Sequence, residues 1–389
     1  VKAPDFTLTA GPTPASARTL NALGSQLVYH LDPTFIETFR RTTEKAQAFF
    51  RTTNDMLLLQ GEGILGLEGA ARSLTRPGMH VLNLVQGIYG KGMGQWLESY
   101  GCVLHEIEVA YDSAVDPDDV DAYLTAHPEI ELVTIVHSET PSGTLSDCSR
   151  LGPIARRHGA LTLVDALSSI GGSPFEADAW ELDVCISGGQ KCLGGPVGIT
   201  MASVSPAAWE RILSNENAPR YSYLSLIDWK VAWLENGTFP FTPSVTDVMG
   251  LEAALDAMLE EGIENSIARH AHAAAVTRAG VRAMGLELWP VSDEISGNPI
   301  TAVRVPDGIV HTELSAHIRE RYGVMLSTGS SAGNIIHIAH MGPTATGLYP
   351  IVGLTALGSG LRDLGVDVDL GAGVEAAMAV LSAGPVGAR

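Results

Sequence analysis

Basic residues are scarce in this chain. Against 44 Asp and Glu stand only 24 Lys and Arg, a formal net charge of −20 over 389 residues. So acidic a surface excludes a nucleic-acid groove and a polybasic membrane anchor, both of which need clustered positive charge. Long apolar runs are missing as well. Gly, His or charge interrupts each one well short of the roughly 20 residues a spanning helix needs, so no membrane partner is expected. Cysteine is limited to Cys102, Cys148, Cys185 and Cys192, with no C-x-x-C pair and no neighbouring His at zinc-site spacing. No metal centre is expected, and the thiols read as reduced. The opening residues VKAPDFTLTAGP hold no apolar secretory core. These features point to a cytoplasmic protein.

What the chain has is core-forming material, 45% hydrophobic against 17% charged, which excludes intrinsic disorder. Helix-period and strand-period segments alternate through the first half. Helices are expected at 33–51, 64–75, 90–100, 117–127 and 148–159. Strands are expected at 56–60, 79–85, 102–109, 131–137, 161–165, 182–187 and 197–203. Such alternation predicts an α/β fold, a mainly parallel sheet with helices on both faces. Residues 219–246, rich in Pro and aromatics, break the pattern and read as a subunit-contact or active-site segment. From 247 to 284 the pattern is helical, with a break at Gly262. Then follow strands at 286–289, 300–305, 324–327 and 335–339, a helix at 312–322 and two terminal helices. The expected organisation is an N-terminal segment (1–20), a large domain (21–260), and a connecting helix with a smaller α+β domain (261–389).

Four places carry chemistry. Lys191 lies in the glycine-rich turn Ser187-Gly188-Gly189-Gln190-Lys191-Cys192-Leu193-Gly194-Gly195 after an apolar strand. A Lys confined there loses its proton readily, and a neutral amine suits Schiff-base chemistry. An ordinary Lys in a surface turn is the competing reading. Cys192 reads as a small buried hydrophobe. Asp165 ends the strand at 161–165, where open α/β sheets bind ligands; it is either the partner of a protonated ring nitrogen or a helix N-cap. Gly61-Glu62-Gly63 opens onto the helix at 64–75, a ready anion site, although the Glu62 carboxylate would compete with a phosphate. Tyr89, between Gly87 and Gly90, either stacks on an aromatic ring or simply packs.

These motifs, in order, carry a family resemblance over nearly the whole chain. It runs from Thr9-Ala10-Gly11-Pro12 through Gly61–Glu68, Gly87–Gly92, His137–Thr144, Val164-Asp165-Ala166, Ser187–Lys191 and Phe241–Val245 to His340–Thr344. The sequence resembles the class V aminotransferases of pyridoxal-phosphate fold type I, in the branch that holds alanine–glyoxylate and pyridoxamine–pyruvate transaminases. The resemblance implies a large domain with a mainly parallel sheet, a smaller C-terminal α+β domain, and pyridoxal 5′-phosphate as cofactor. It implies Lys191 as the Schiff-base lysine and proton shuttle, and Asp165 against the pyridine nitrogen. Tyr89 and Leu167 would lie on the two ring faces and Thr140 at the phenolic oxygen. Gly61, Glu62, Gly63 and Gln190 would line the phosphate end, joined by Thr242 from a second subunit. A site completed in this way implies a homodimer with shared active sites acting on a small-molecule amino substrate.

The chain departs from the family where the substrate carboxylate is held. His337 stands where an Arg is usual, and residues 327–332 offer no Arg either. A His does not reproduce the bidentate Arg fork, so His337, Ser330 and Glu62 are the substrate-side candidates. The first expectation is therefore transamination of a specialised, biosynthetic amino compound. The alternatives are a lyase or decarboxylating deaminase acting on an amino acid such as an S-conjugated cysteine, and a transaminase using unphosphorylated vitamin B6. The loop of Glu62 motivates the last of these.

Overall fold

The structure is a computed structural model that describes residues 2–384. Its first strand, β1 (Phe6–Leu8), and helices α1 (Ala17–Leu23) and α2 (Pro33–Phe50) precede the main sheet. That sheet is built from β2 (Asp55–Gln60), β3 (His80–Val85), β4 (Val103–Glu108), β5 (Ile130–Val136), β8 (Leu161–Asp165), β9 (Val184–Gly188) and β10 (Ile199–Val204). A small hairpin, β6 (Ser138–Glu139) with β7 (Thr144–Leu145), follows β5. The strand order is β2-β10-β9-β8-β5-β3-β4; β10 runs antiparallel to both neighbours and the remaining pairs are parallel.

Between the strands run α3 (Gly63–Leu74), α4 (Ile88–Ser99), α5 (Pro117–Ala126) and α6 (Cys148–Arg157); α7 (Pro206–Ser214) and α8 (Leu226–Trp229) follow β10. Local chemistry sets several starts. Asp32-Pro33, Asp116-Pro117 and Ser205-Pro206 each pair a side chain that caps free N–H groups with a proline that has none to cap. Strands β9 and β10 are buried at every residue, which explains why they are mainly apolar and carry no charge. One apolar core spans both faces of the sheet, with Phe35, Leu57, Leu82, Val133, Leu163, Ile186 and Leu255 among its members.

Helices α9 (Val245–Glu261) and α10 (Ile263–Ala283) meet at Gly262, as the sequence predicts. A second sheet, ordered β1-β12-β13-β11, follows from β11 (Ile300–Arg304), β12 (Val324–Thr328) and β13 (Ile335–Ala339). Helices α11 (His311–Tyr322), α12 (Tyr349–Asp363) and α13 (Leu370–Ala383) complete it over a second core containing Leu8, Val276, Leu314, Ile336 and Leu357. The expected strand at 286–289 does not form; it is reduced to a single bridge between Leu288 and Val303. The irregular segment holds more order than its composition suggests, with α8 continuing into a π-helical turn at Lys230–Glu235. The first residues also zip in parallel onto β12, so the chain's start belongs to the second sheet.

Candidate active site

The carboxyl ends of the parallel strands gather the predicted residues. Asp165 is the last residue of β8 and is buried. Its Oδ1 accepts a hydrogen bond from the Leu167 N–H at 2.9 Å. Burial raises its pKa to about 6, against the opposing pull of that hydrogen bond and of the Lys191 charge. Lys191 follows β9 in the glycine-rich turn and donates from Nζ to the Ala10 carbonyl at 2.7 Å. Desolvation lowers the pKa of its amine, with the Asp165 and Glu62 charges resisting. Gly11, at φ +113°, gives Lys191 its space: a Cβ there would lie 2.5 Å from Nζ. The opening motif thus forms one wall around the amine.

Three buried polar atoms from these motifs have no hydrogen-bond partner among the described residues: Thr140 Oγ1, Ser187 Oγ and Gln190 Oε1. Buried groups of this kind are costly unless something satisfies them, and Thr140 and Gln190 were named from the sequence as ligand contacts. Leu167 is buried and Tyr89 is 43% exposed. Tyr89 is held by a residue the sequence reading passed over. Glu139, fully buried, accepts from the Tyr89 N–H at 2.9 Å through Oε1 and from the Gly90 N–H at 3.1 Å through Oε2. It thereby caps α4 from a different strand, and burial pushes its pKa up to about 7. The Glu in His137-Ser138-Glu139-Thr140 was the available signal.

The glycine loop is where geometry changes the picture. Glu62 is the N-cap of α3, its Oε2 accepting from the Ile64 N–H at 3.0 Å. Its Oε1 accepts from Gln190 Nε2 at 2.6 Å. The chain's own carboxylate therefore lies at the helix terminus that would otherwise attract an anion. Gly61, at φ +146°, donates its N–H to the carbonyl of Gly198, the residue before β10, at 2.9 Å. Gly63 abuts Leu167 so closely that a Cβ would stand 1.9 Å from it.

The substrate-side candidates separate. His337 is buried in β13, and both ring nitrogens are committed within the chain: Nε2 to the Pro141 carbonyl at 2.9 Å, Nδ1 to Ser327 Oγ at 3.3 Å. Burial lowers its pKa to about 4, so the ring is neutral. The expectation that His337 holds a substrate carboxylate finds no free ring nitrogen to support it. Ser330 is exposed, in a short turn at φ +51°. Thr242 is exposed on this chain, beside Phe241.

A half-buried lysine of lowered pKa, a buried Asp at a strand's end and unsatisfied polar groups from the same motifs suit a carbonyl-bearing pyridine ring on an open α/β sheet. The chain belongs to the class V aminotransferases, a pyridoxal-phosphate family: residues 15–346 match the family described as Aminotransferase class-V. It is 46% identical to a pyridoxamine–pyruvate transaminase of Mesorhizobium japonicum, over 98% of this chain and 97% of that protein. The solved structure of pyridoxamine–pyruvate aminotransferase from Mesorhizobium loti superposes with a TM-score of 0.95 at 45% identity, covering 98% of each chain. Ureidoglycine–glyoxylate aminotransferase from Bacillus subtilis matches with a TM-score of 0.91 at 27% identity, over 98% of this chain and 99% of that one.

At the ring end the residues present fit the family's cofactor, because Asp165, Lys191 and the orphaned Thr140 hydroxyl offer what a pyridine nitrogen, an aldehyde and a phenolic oxygen require. At the phosphate end Glu62 holds the helix terminus and Gln190 together.

Proposed function

We propose that this aminotransferase exchanges an amino group between a free, unphosphorylated B6 amine of the pyridoxamine class and an oxo compound. The observation that carries the reading is Glu62. A phosphate placed at the α3 N-terminus would meet a carboxylate already bonded to Ile64 N and Gln190 Nε2. A hydroxymethyl group brings no charge, and it can donate a hydrogen bond to that carboxylate. The resemblance to a transaminase that acts on pyridoxamine supports the same reading. Pyridoxal phosphate remains the family's cofactor; the proposal concerns the form of B6 that this loop accepts.

When bound, the protonated pyridine ring supplies an electron sink. Asp165 would pair with the ring nitrogen, whose N–H would give the buried carboxylate a charged partner. Lys191 would bond the aldehyde form of the ring through its amine and, once freed from it, would take and return the proton at the reacting carbon. Thr140 would donate to the phenolic oxygen. Tyr89, its N–H held by Glu139, would cover one ring face and Leu167 the other. His337 contributes no charge, so this position supplies no Arg clamp to the oxo partner. A bidentate pair of that kind is worth roughly 1.5–3 kcal/mol.

Steady-state kinetics with pyridoxamine and with pyridoxamine phosphate as amino donors test this reading. The expected outcome is a kcat/KM at least about 100-fold higher for the free amine, a difference of about 2.7 kcal/mol. Equal or better turnover of the phosphorylated donor would return the account to a phosphorylated cofactor with a specialised amine.

The same proposal includes a homodimer with shared sites. An aromatic belt links Tyr29, His30, Phe239, Trp229, Phe241 and Tyr223. It leaves Tyr29 and Tyr223 more than half exposed, beside the exposed Thr242. An exposed apolar patch of this kind supports a partner surface, here a second copy carrying Thr242 toward the neighbouring Lys191.

A further inference from the structure

We propose a transition-metal site of the zinc class at the edge of the main sheet, formed by His80, His105 and Glu129. It lies at the opposite end of the strands from Lys191. His80 begins β3 and Glu129 immediately precedes β5, whereas Tyr89 and Asp165 lie at the carboxyl ends, roughly 20 Å away along strands of this length. Nothing in the transamination chemistry uses these side chains.

The geometry is that of a site a small adjustment would close. One ligand atom from each of the three residues falls within 4.8 Å of the other two. His80 Nδ1 and His105 Nε2 are 2.9 Å apart, and Glu129 Oε1 is 4.0 Å from His80 Nδ1. Ligands 2.0–2.1 Å from a tetrahedral ion sit about 3.3 Å from one another. Opening the first distance by about 0.4 Å and shortening the second by about 0.7 Å brings these two pairs to that spacing, and the third pair closes from within 4.8 Å. His105 is oriented from behind. Its Nδ1 faces Tyr123 Oη at 3.1 Å, so an Nδ1–H donated to the phenol leaves the Nε2 lone pair pointing at His80. An outer partner of this kind fixes tautomer and ring angle in protein metal sites. His127 bonds Glu129 Oε1 through Nδ1 at 3.0 Å and stacks on Tyr123, so it steadies the carboxylate or adds a fourth donor. Two imidazoles, one carboxylate and an open position suit zinc, nickel or copper, and do not suit magnesium or calcium.

The site ties β4, the sheet's edge strand, to β3 and to the turn between α5 and β5. An ion bound to the folded chain alone raises its apparent stability by mass action. The experiment is calorimetric titration of the chelator-treated full chain with zinc sulfate, alongside thermal unfolding with and without the ion. The expected result is one ion per chain at a Kd on the order of micromolar or tighter, with a raised unfolding temperature. His80→Ala and His105→Gln should each weaken binding by about 10-fold or more, Glu129→Gln by less, and Tyr123→Phe by about 10-fold. Transaminase turnover of each variant should stay near that of the parent. Partly exposed His80 and Glu129 tolerate substitution, which keeps the test open should a His105 variant fail to fold. Binding weaker than millimolar, or binding unchanged in His80→Ala combined with Glu129→Gln, would overturn the proposal.

Discussion

Individual residues divide into those whose role follows from type and position and those that need their neighbours. Lys191 and Asp165 are of the first kind. An amine in a glycine turn and a carboxylate at a strand's end were legible because backbone context alone aims them. Lys191→Ala should abolish borohydride fixation of the B6 ring to the protein, checked by peptide mapping; a ring fixed to another lysine would contradict the assignment. Asp165→Asn removes the charge that matches the ring nitrogen and should lower kcat by about 100-fold or more while the fold survives. His337 is of the second kind. Its position in the family pattern suggested a substrate contact, but its hydrogen bond to the Pro141 carbonyl comes from a chain segment distant in sequence. His337→Gln keeps a donor for the Pro141 carbonyl and should leave KM for the oxo partner within about threefold. An increase of about 100-fold would restore it to the substrate.

Elements were legible where the period was long and punctuated, as in α2, α9 and α10 with Gly262 between the last two. Short ones were not. β1 has three residues and exists only because β12 pairs with it, and a local pattern cannot announce a partner more than 300 residues away. The segment 286–289 shows the converse: apolar alternation without enough partner backbone to make a ladder. The start of α4 was also hidden, because its cap comes from Glu139 on β6. Gly87 leaves the room for that carboxylate, since a Cβ would stand 2.1 Å from Glu139 Cγ. Gly87→Ala should therefore push Glu139 off the Tyr89 and Gly90 N–H groups. We expect a loss of about 1–3 kcal/mol in denaturant unfolding, with reduced turnover as Tyr89 shifts. Unchanged stability and rate would show that the cap is dispensable.

For the whole molecule, charge and burial predict the response to pH. His137 and His337 are buried with pKa values near 4, His270 near 3, and His340 is held well below the usual range, all chiefly by desolvation. Unfolding lets each rise to its ordinary value near 6.5. Between about pH 6.5 and 4 the unfolded chain thus binds more protons than the folded one, and stability falls as pH falls. Asp165 and Glu139, raised to about 6 and 7, act in the opposite sense, but four imidazoles outweigh two carboxylates. Calorimetry should show the unfolding temperature dropping steadily from pH 6.5 to 4; a flat or rising profile would mean the imidazoles are not buried as described. At this scale too, mixing Lys191→Ala with Thr242→Ala chains should regain activity, because a shared-site heterodimer keeps one intact site. Failure to regain any would separate the sites.

The central claim is that Glu62 stands where a phosphate would bind, and equilibrium titration with pyridoxal and pyridoxal 5′-phosphate tests it most directly. The sequence showed the conflict between a glycine loop and its carboxylate but not its resolution, because the bond from Gln190 joins residues 128 apart. The account predicts at least about 100-fold tighter binding of free pyridoxal by the native chain, and a preference that shrinks or reverses in Glu62→Gly. Tighter binding of the phosphorylated form by the native chain would contradict it.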